Sequence, residues 1–313
     1  MLSNILSLGF LISVLAATIR LATPILLGAL GGIYSQRAGI LNLGMEGTMT
    51  IGAAIGFIVT FHTKSLVLGA LCAMLAGSLF SLIMAWLSVT MKANQVIAGT
   101  ALTILGVGLA AFVYRTVFGI KSLPPQIEPF KAISASLSEL PIIGPILFSH
   151  NILIYVTFAL VPITWLILEK TVFGLNIKAV GEHPRAADSK GINVAKTRYS
   201  ALLIEGLYSG LAGAFMSTAY MNSFMDTMIT GRGFIAVAVV VFSRWNPKRA
   251  MFGSLIFGFA NALQMRLQAI GANIPNQFLL MLPYVMTILV LVSVSKKAEF
   301  PSAYTLPYSR MER

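Results

Sequence analysis

The sequence predicts an all-α polytopic membrane protein, and its composition and the lengths of its apolar segments support that fold class. Of 313 residues, 57% are hydrophobic and only 10% are charged, whereas a soluble domain carries about 25% charged residues. The apolar residues form long segments separated by short polar stretches, and one bilayer-spanning helix takes about 20 residues. The chain therefore has room for about eight to ten transmembrane helices. We expect some of them to be broken and all to belong to a single transmembrane domain over residues 1–313.

The apolar segments give approximate boundaries for the spans. We place them at 8–31, 40–61, 66–91, 95–118, 150–169, 199–221, 232–243, 251–270 and 277–295. Segment 232–243 is too short to cross a bilayer alone. It either borrows flanking residues or belongs to a broken, re-entrant segment. No Lys or Arg precedes Arg20, so we expect the apolar beginning of the sequence to be the first span rather than a cleaved signal peptide.

Composition and motifs argue against several classes of function. The net charge of +12 comes without basic runs interleaved with aromatic residues, so we expect no nucleic-acid binding. The only cysteine, Cys72, excludes an intrachain disulfide and a cysteine metal cluster. The sequence has no phosphate-binding G-x-x-x-x-G-K-[ST] loop, no H-E-x-x-H motif and no nucleophile elbow. We therefore predict that the chain is not an enzyme, with no catalytic residues, no metal site and no cofactor of its own.

The distribution of Lys and Arg predicts the orientation in the membrane, because cytoplasmic loops are enriched in these residues. With the N-terminus outside and the C-terminus in the cytoplasm, 15 of the 22 basic residues are cytoplasmic. They are Arg37, Lys92, the six from Lys170 to Arg198, Arg244, Lys248, Arg249, Lys296, Lys297, Arg310 and Arg313. We therefore expect a multi-pass protein of the cell membrane with a cytoplasmic loop at 170–198.

The longest extracytoplasmic loop in this orientation is 119–149. Its five prolines make it stiff and irregular. It either caps the external mouth of the protein, where a substrate-delivery protein could bind, or is an unspecialised connection.

The stretch from Leu30 to Gly56 interrupts the apolar sequence with charged residues and glycines, which allow irregular backbone. Irregular backbone at membrane depth persists only where protein or a water-filled cavity covers it. Asn42 and Glu46 in this stretch, and Asn94 at a later helix start, are therefore candidates for lining a translocation path. The alternatives are a helix hairpin whose polar residues lie in interfacial water and, for Asn94, a helix N-cap.

Two acidic motifs suggest an internal duplication. Met45-Glu46-Gly-Thr-Met-Thr-Ile-Gly52 is similar to Met225-Asp226-Thr-Met-Ile-Thr-Gly231, and each places an acid before a span that glycine marks. The predicted orientation puts the first motif on the cytoplasmic side and the second outside, as an inverted repeat requires. The similarity is short, and chance explains it equally well.

Several motifs together resemble a known family. They are Arg20-Leu-Ala-Thr-Pro24, Arg37-Ala-Gly-Ile-Leu-Asn-Leu-Gly-Met-Glu-Gly47, Lys92-Ala-Asn-Gln-Val-Ile-Ala-Gly99, Gly231-Arg-Gly-Phe-Ile-Ala-Val-Ala238 and Arg244-Trp-Asn-Pro247. This set resembles the permease subunits of ABC importers for branched-chain amino acids, ribose and nucleosides, and is most similar to the nucleoside branch. The resemblance extends from about Arg20 to Val294.

The loop from Asn176 to Arg198 is the most polar segment of the sequence. Pro184 suits the first turn of a short helix, and Gly191 is placed to end it. Such a loop either docks on a soluble partner or is a solvated connector. Its pattern resembles the coupling loop of the same permease family, which implies docking on an ABC ATPase. The resemblance makes six residues partner-contacting or loop-shaping positions: Gly181, Glu182, Pro184, Ala186, Ala187 and Gly191. His183 departs from the Asn or Asp expected there.

The resemblance implies the permease subunit of an ATP-driven importer that works by alternating access. It implies a partner ATPase that holds ATP and Mg, a second, related but different permease subunit, and an extracytoplasmic substrate-binding protein or lipoprotein. Nucleosides are the implied substrates, with ribose-like sugars and branched-chain amino acids as alternatives. From the residues alone, an ion-coupled secondary transporter with Glu46 and Asp226 as coupling sites, or a membrane scaffold, stays open.

Overall fold

The computed structural model describes residues 8–119, 124–128, 143–270, 275–295 and 300–310. Within these ranges the regular structure is helical and no β-strand occurs. The α-helices are α1 (Leu8–Arg37), α2 (Met45–Thr63), α3 (Leu66–Ala85), α4 (Gln95–Phe118), α5 (Ile152–Lys170), α6 (Val172–Glu182), α7 (Pro184–Ser189), α8 (Val194–Ala214), α9 (Arg232–Phe242), α10 (Pro247–Ala269) and α11 (Asn276–Ser295). π-Helical turns follow α3 (Trp86–Thr90), precede α5 (Gly144–Phe148) and follow α8 (Phe215–Tyr220). The predicted all-α class is confirmed.

Four of these helices are long and apolar enough to cross a bilayer, namely α1, α3 with its π-helical turn, α4 and α5. Their outward faces carry large exposed apolar side chains such as Leu79, Ile104 and Phe112, as expected of surfaces that face lipid. The chain is a multi-pass membrane protein. Most of the predicted loop 119–149 lies outside the described residues, as do Lys296, Lys297 and Arg313.

Side-chain caps explain why most predicted spans begin close to the observed helices. The helices with such caps begin after Ser65, Asn94, Asn151, Thr171, Asn193 and Asn246. Asn94 Oδ1, for example, accepts hydrogen bonds from the backbone N–H groups of Val96 and Ile97, which satisfies two groups that a helix start leaves unpaired. Two predicted starts were wrong by five residues: α2 begins at Met45 rather than at residue 40, and α8 begins at Val194 rather than at residue 199.

Helix α8 lies at the centre of the bundle and packs against α1, α2 and α3. Small residues allow this close packing. An added Cβ at Gly206 would collide with the backbone of Gly77 in α3, and Gly52 in α2 lies against the backbone of Gly210 in α8. In a membrane, where lipid is as apolar as the helix surface, such close backbone approach supplies much of the packing energy. The central position also buries Arg198 and Glu205, the two charged residues on the inner face of α8.

Many of the basic residues lie at one end of the bundle, which we call the basic end and define by Arg37, Lys92, Arg198 and Arg244. The Arg37 guanidinium lies 6.0 Å from the ring centre of Trp245. Thr90 Oγ1, two residues before Lys92, lies 2.6 Å from Tyr199 Oη, next to Arg198. The short helix α7 packs on α6 and α8 at this same end.

The close contacts of the glycines in α8 predict which substitutions destabilise the fold. An added Cβ at Gly210 would overlap the backbone of Ala73, whereas one at Gly108 in α4 meets open space. We expect Gly210→Ala to destabilise the protein by about 1–3 kcal/mol through overpacking and Gly108→Ala to be neutral or stabilising, since Ala is the better helix former. Midpoints of thermal unfolding in detergent test this, and equal midpoints for the two variants would contradict it.

Candidate translocation and coupling site

The first irregular segment, residues 38–44, joins α1 to α2 inside the bundle. Gly39 has φ +86° and turns the chain at the end of α1. Leu41 N donates to Gln95 Oε1 (2.8 Å), and Thr103 Oγ1 donates to the Leu43 carbonyl (3.0 Å). Gln95 and Thr103 are eight residues apart in α4, about 12 Å along its axis. The segment therefore runs into the bundle from the basic end, with its backbone paired to α4 side chains.

The second irregular segment, residues 221–231, joins the π-helical turn after α8 to α9. Asp226 Oδ2 accepts a hydrogen bond from Arg115 Nη2 at 2.9 Å. Arg115 is 20 residues beyond Gln95, so this contact lies about 30 Å from the basic end. At its other end the segment reaches α2, because Gly231 N donates to Glu46 Oε1 at 2.7 Å. The segment therefore enters from the opposite end of the bundle, and the short predicted span 232–243 is α9, part of a broken, re-entrant element.

The two segments meet where α2 and α9 begin. An added Cβ at Gly233 would lie 2.7 Å from the Glu46 Cα, so the first turns of α2 and α9 are in direct contact. Each helix N-terminus carries a partial positive charge, and the Glu46 carboxylate lies between them. Its Oε1 accepts from Gly231, and its Oε2 is buried without a hydrogen-bond partner in the described part of the chain. The two acidic motifs thus enter the bundle from opposite ends. Their acids are not equivalent, since Glu46 lies in the first turn of α2 whereas Asp226 lies six residues before α9 begins. The inverted repeat stays a prediction.

The other two candidate path residues have local roles. Asn42 is 2% exposed, and its Oδ1 accepts from Gly44 N at 2.9 Å, which turns segment 38–44 toward α2. Asn94 is exposed and caps α4. The structure therefore shows the capping interpretation for Asn94, and it does not place Asn94 beside Glu46. Whether Asn42 and Glu46 contact a substrate stays a prediction.

Glu205 in α8 is a buried acid whose neighbours include Asn42 of segment 38–44. It is 1% exposed, and Ser35 and Asn42 are its polar neighbours. Within the described ranges it forms no ion pair. A carboxyl group in a transmembrane helix is costly and commonly functional, which makes Glu205 a further candidate beside the path. The sequence showed an acid within a span but gave no sign of these neighbours.

The predicted docking helix is present as α7, Pro184–Ser189, and Gly191 follows it with φ +84°. The six predicted coupling residues separate into two groups. Pro184, Ala186 and Gly191 are at least partly exposed on the surface of the basic end.

The other three coupling residues contact neighbouring elements: Gly181 and Ala187 are buried, and Glu182 is partly exposed. Ala187 is buried against Val180 and Val194. Gly181 lies against the backbone of Arg37, and Glu182 Oε2 accepts from Ser302 N (3.2 Å) and Ser302 Oγ (3.1 Å). These contacts fit the loop-shaping role, whereas the exposed group fits partner contact.

Sequence analysis missed the part of the basic end that residues 300–310 form, which we call the C-terminal strap. The strap lies against the ends of α1, α6 and α8. Burial raises the pKa of the Tyr304 phenol well above its usual value, so this ring stays neutral. Three aromatic residues and two prolines within a polar tail were the available signal, since such a composition suits a packed, turn-rich segment.

Comparison with known proteins agrees with this architecture. Residues 14–291 match the family model of the branched-chain amino acid transport system permease component. The chain belongs to this permease family. No solved structure is a significant match.

Three named relatives match nearly their whole length. The guanosine ABC transporter permease protein NupQ of Bacillus subtilis is 40% identical, over 96% of this chain and 97% of its own. The putative glucose ABC transporter permease protein TsgC13 of Haloferax volcanii is 37% identical, over 97% and 99%. The nucleoside ABC transporter permease protein NupC of Lactococcus lactis is 35% identical, over 92% and 93%. Bacillus subtilis and Lactococcus lactis each also have a second, more distant match, NupP and NupB, both 25% identical over 72% and 77% of this chain.

The contact between Glu46 and Gly231 predicts unequal roles for the two motif acids. Glu46→Ala removes a charge-assisted hydrogen bond at a buried junction, which we expect to cost about 1.5–3 kcal/mol. Glu46→Gln keeps an acceptor and should recover part of the loss. Asp226→Ala breaks only a partly exposed ion pair, which contributes about 0–1 kcal/mol. Thermal unfolding of the three variants in detergent measures this order, and equal losses for Glu46→Ala and Asp226→Ala would contradict it.

Proposed function

We propose that this chain is the transmembrane permease subunit of an ATP-driven importer for nucleosides. The observation that carries the proposal is the full-length similarity to permeases named for guanosine and nucleosides, at 40% and 35% identity. Membership of an ABC permease family argues against the ion-coupled secondary transporter and the membrane scaffold that the residues alone left open. Two further features support the role: a joint between two broken helices inside the bundle and an exposed docking helix at one end.

We propose that the basic end faces the cytoplasm, since it holds Arg37, Lys92 and the α6–α8 region. An ABC ATPase would then dock there on α7 and hold the ATP and Mg, while this chain has no catalytic role. ATP binding would move the ATPase and with it α7. Because Gly181, at the end of α6, lies against the backbone of Arg37, that movement reaches the end of α1 and segment 38–44. The translocation path would then open alternately to either side of the membrane through motion at the Glu46–Gly231 joint.

The full importer would also contain a second, related permease subunit and an extracytoplasmic binding protein or lipoprotein. Bacillus subtilis and Lactococcus lactis each have two permeases in this family that bear guanosine or nucleoside names. This pairing supports a heterodimer, with the path between the two permeases. The binding protein would meet the end opposite the basic end, where the 119–149 loop begins.

Sugar import is the second candidate function, because a relative 37% identical to this chain is named for glucose. The deciding experiment is uptake of labelled guanosine by proteoliposomes that contain the complete complex. We expect uptake that requires ATP on the ATPase side, persists with a protonophore and is competed by unlabelled nucleosides. Competition by glucose and not by nucleosides would favour the sugar alternative. Uptake by this chain alone under an ion gradient would overturn the ABC mechanism.

The docking role of α7 predicts an effect that depends on side-chain size at Ala186. This residue is exposed on the surface of α7. We expect Ala186→Trp to leave the membrane domain folded but to reduce co-purification of the ATPase and ATP-dependent uptake at least ten-fold. The matched control Ala186→Ser should behave like the parent. A Trp variant that retains both ATPase binding and uptake would remove α7 from the docking surface.

A further inference from the structure

The C-terminal strap, residues 300–310, joins parts of the basic end that are distant in sequence. Thr305 N donates to the Gly39 carbonyl and Ala303 N donates to the Gly181 carbonyl, both at 2.9 Å. The strap therefore holds the first residues of segment 38–44 and the last turn of α6 through two of its own residues, Ala303 and Thr305. Ser302 adds two hydrogen bonds to Glu182.

Tight turns make the strap stiff enough to transmit a displacement. Tyr304 N donates to the Pro301 carbonyl (2.9 Å), and Leu306 N donates to the Ala303 carbonyl (3.2 Å). Two overlapping turns fix the backbone between the contact with α6 and the contact with segment 38–44. The strap backbone is therefore constrained at both of these contacts, as an element that transmits movement requires.

Arg198 ties the same elements to the centre of the bundle. It is 1% exposed. Its Nε donates to the Ala38 carbonyl (3.2 Å) and its Nη1 to the Leu306 carbonyl (3.1 Å). One buried guanidinium on α8 thus holds both segment 38–44 and the strap, and a planar fork of donors suits two acceptors at once.

The aromatic end of the strap holds the turn between α9 and α10. Arg244 and Trp245 have φ of +53° and +55°, a conformation that costs free energy in residues other than glycine. Trp245 packs on Phe300 and Tyr304, with ring centres 5.2 and 6.5 Å apart, and its Nε1 donates to Gln36 Oε1 at 3.1 Å. The strap therefore contacts the basic ends of both broken elements, α1–α2 and α9.

We propose that the C-terminal strap is a transmission element that carries the movement of α7 to segment 38–44 and to the α9–α10 turn. This inference rests on the proposed function, in which an ATPase docks on α7. It assigns positioning roles to Arg198, Ser302 and Trp245, none of which borders the Glu46–Gly231 joint. The exposed face of α7 is the docking surface. The strap also contacts α7, through Tyr308 packed beside Ala187 and through the Arg310–Asp188 ion pair, and Ser302→Pro leaves both contacts in place.

The test is the number of guanosine molecules imported per ATP hydrolysed by the complete reconstituted complex. The first variant ends at residue 299, and the second is Ser302→Pro. Proline suits the second position of the turn that Tyr304 N and the Pro301 carbonyl close, so Ser302→Pro keeps that turn while removing both donors to Glu182. Lys170→Ala is the control, since Lys170 is exposed at the end of α5 and lies outside both the strap and α7.

We expect both strap variants to retain the ATPase and to hydrolyse ATP, with import per ATP at least ten-fold lower in the truncation and several-fold lower in Ser302→Pro. Lys170→Ala should match the parent. If the truncated chain does not fold, the number of guanosine molecules that Ser302→Pro imports per ATP tests the inference by itself. Parent-like ratios in the strap variants, or loss of ATPase binding, would overturn the inference and leave the proposed function standing. A parent complex that imports no guanosine in the presence of ATP would overturn both.

Discussion

The hydrogen bond from Gly231 N to the Glu46 carboxylate joins two helix breaks that neither half of the chain could support alone. A broken helix in a membrane leaves backbone donors and acceptors that lipid cannot satisfy. Glu46 accepts a hydrogen bond from the backbone just before α9, and the side chains of Gln95 and Thr103 form hydrogen bonds with the backbone of segment 38–44. Because the partners come from α2 and α4, both breaks depend on the packing of these helices. The irregular backbone that an alternating path needs is therefore possible only within the assembled bundle.

The glycine-lined surfaces of α8 make that assembly possible. Gly210 brings α8 within backbone contact of both α2 and α3, so the centre of the bundle is too tightly packed for water to replace missing contacts. On this rigid support α8 carries Glu205 beside Asn42, and Arg198 beside Ala38. The same helix thus fixes one side of the joint inside the membrane and one side of the coupling region at the basic end. In the proposed mechanism, this arrangement lets a movement at α7 reach the joint.

The sequence predicted the features that depend on neighbouring residues. Asn94 marked the start of α4, Pro184 and Gly191 bounded α7, and the Gly-rich motif around Glu46 marked a break. Contacts across long sequence separations could not be predicted. Gly231 and Glu46 are 185 residues apart, and neither local propensity nor periodicity indicates such a pair. The start of α2 was misplaced because Ile40 and Leu41 are as apolar as a span, although they lie outside the helices and Leu41 N donates to Gln95 of α4. The strap escaped prediction because its role depends on Gly39, Gly181 and Arg198, which only the fold brings together.

We propose that segment 38–44 lines a path that opens alternately to the two sides of the membrane. The direct test is the rate at which a membrane-impermeant thiol reagent modifies Leu43→Cys in a Cys72→Ser background, in the complete complex and from each side. We predict that ATP binding changes the side from which Leu43→Cys reacts, with rates that differ at least ten-fold. Lys64→Cys and Lys190→Cys, at opposite ends of the bundle, should react from one side each regardless of ATP. A Leu43→Cys that is unreactive from both sides in every state would show that the segment is a sealed structural joint and would contradict the account.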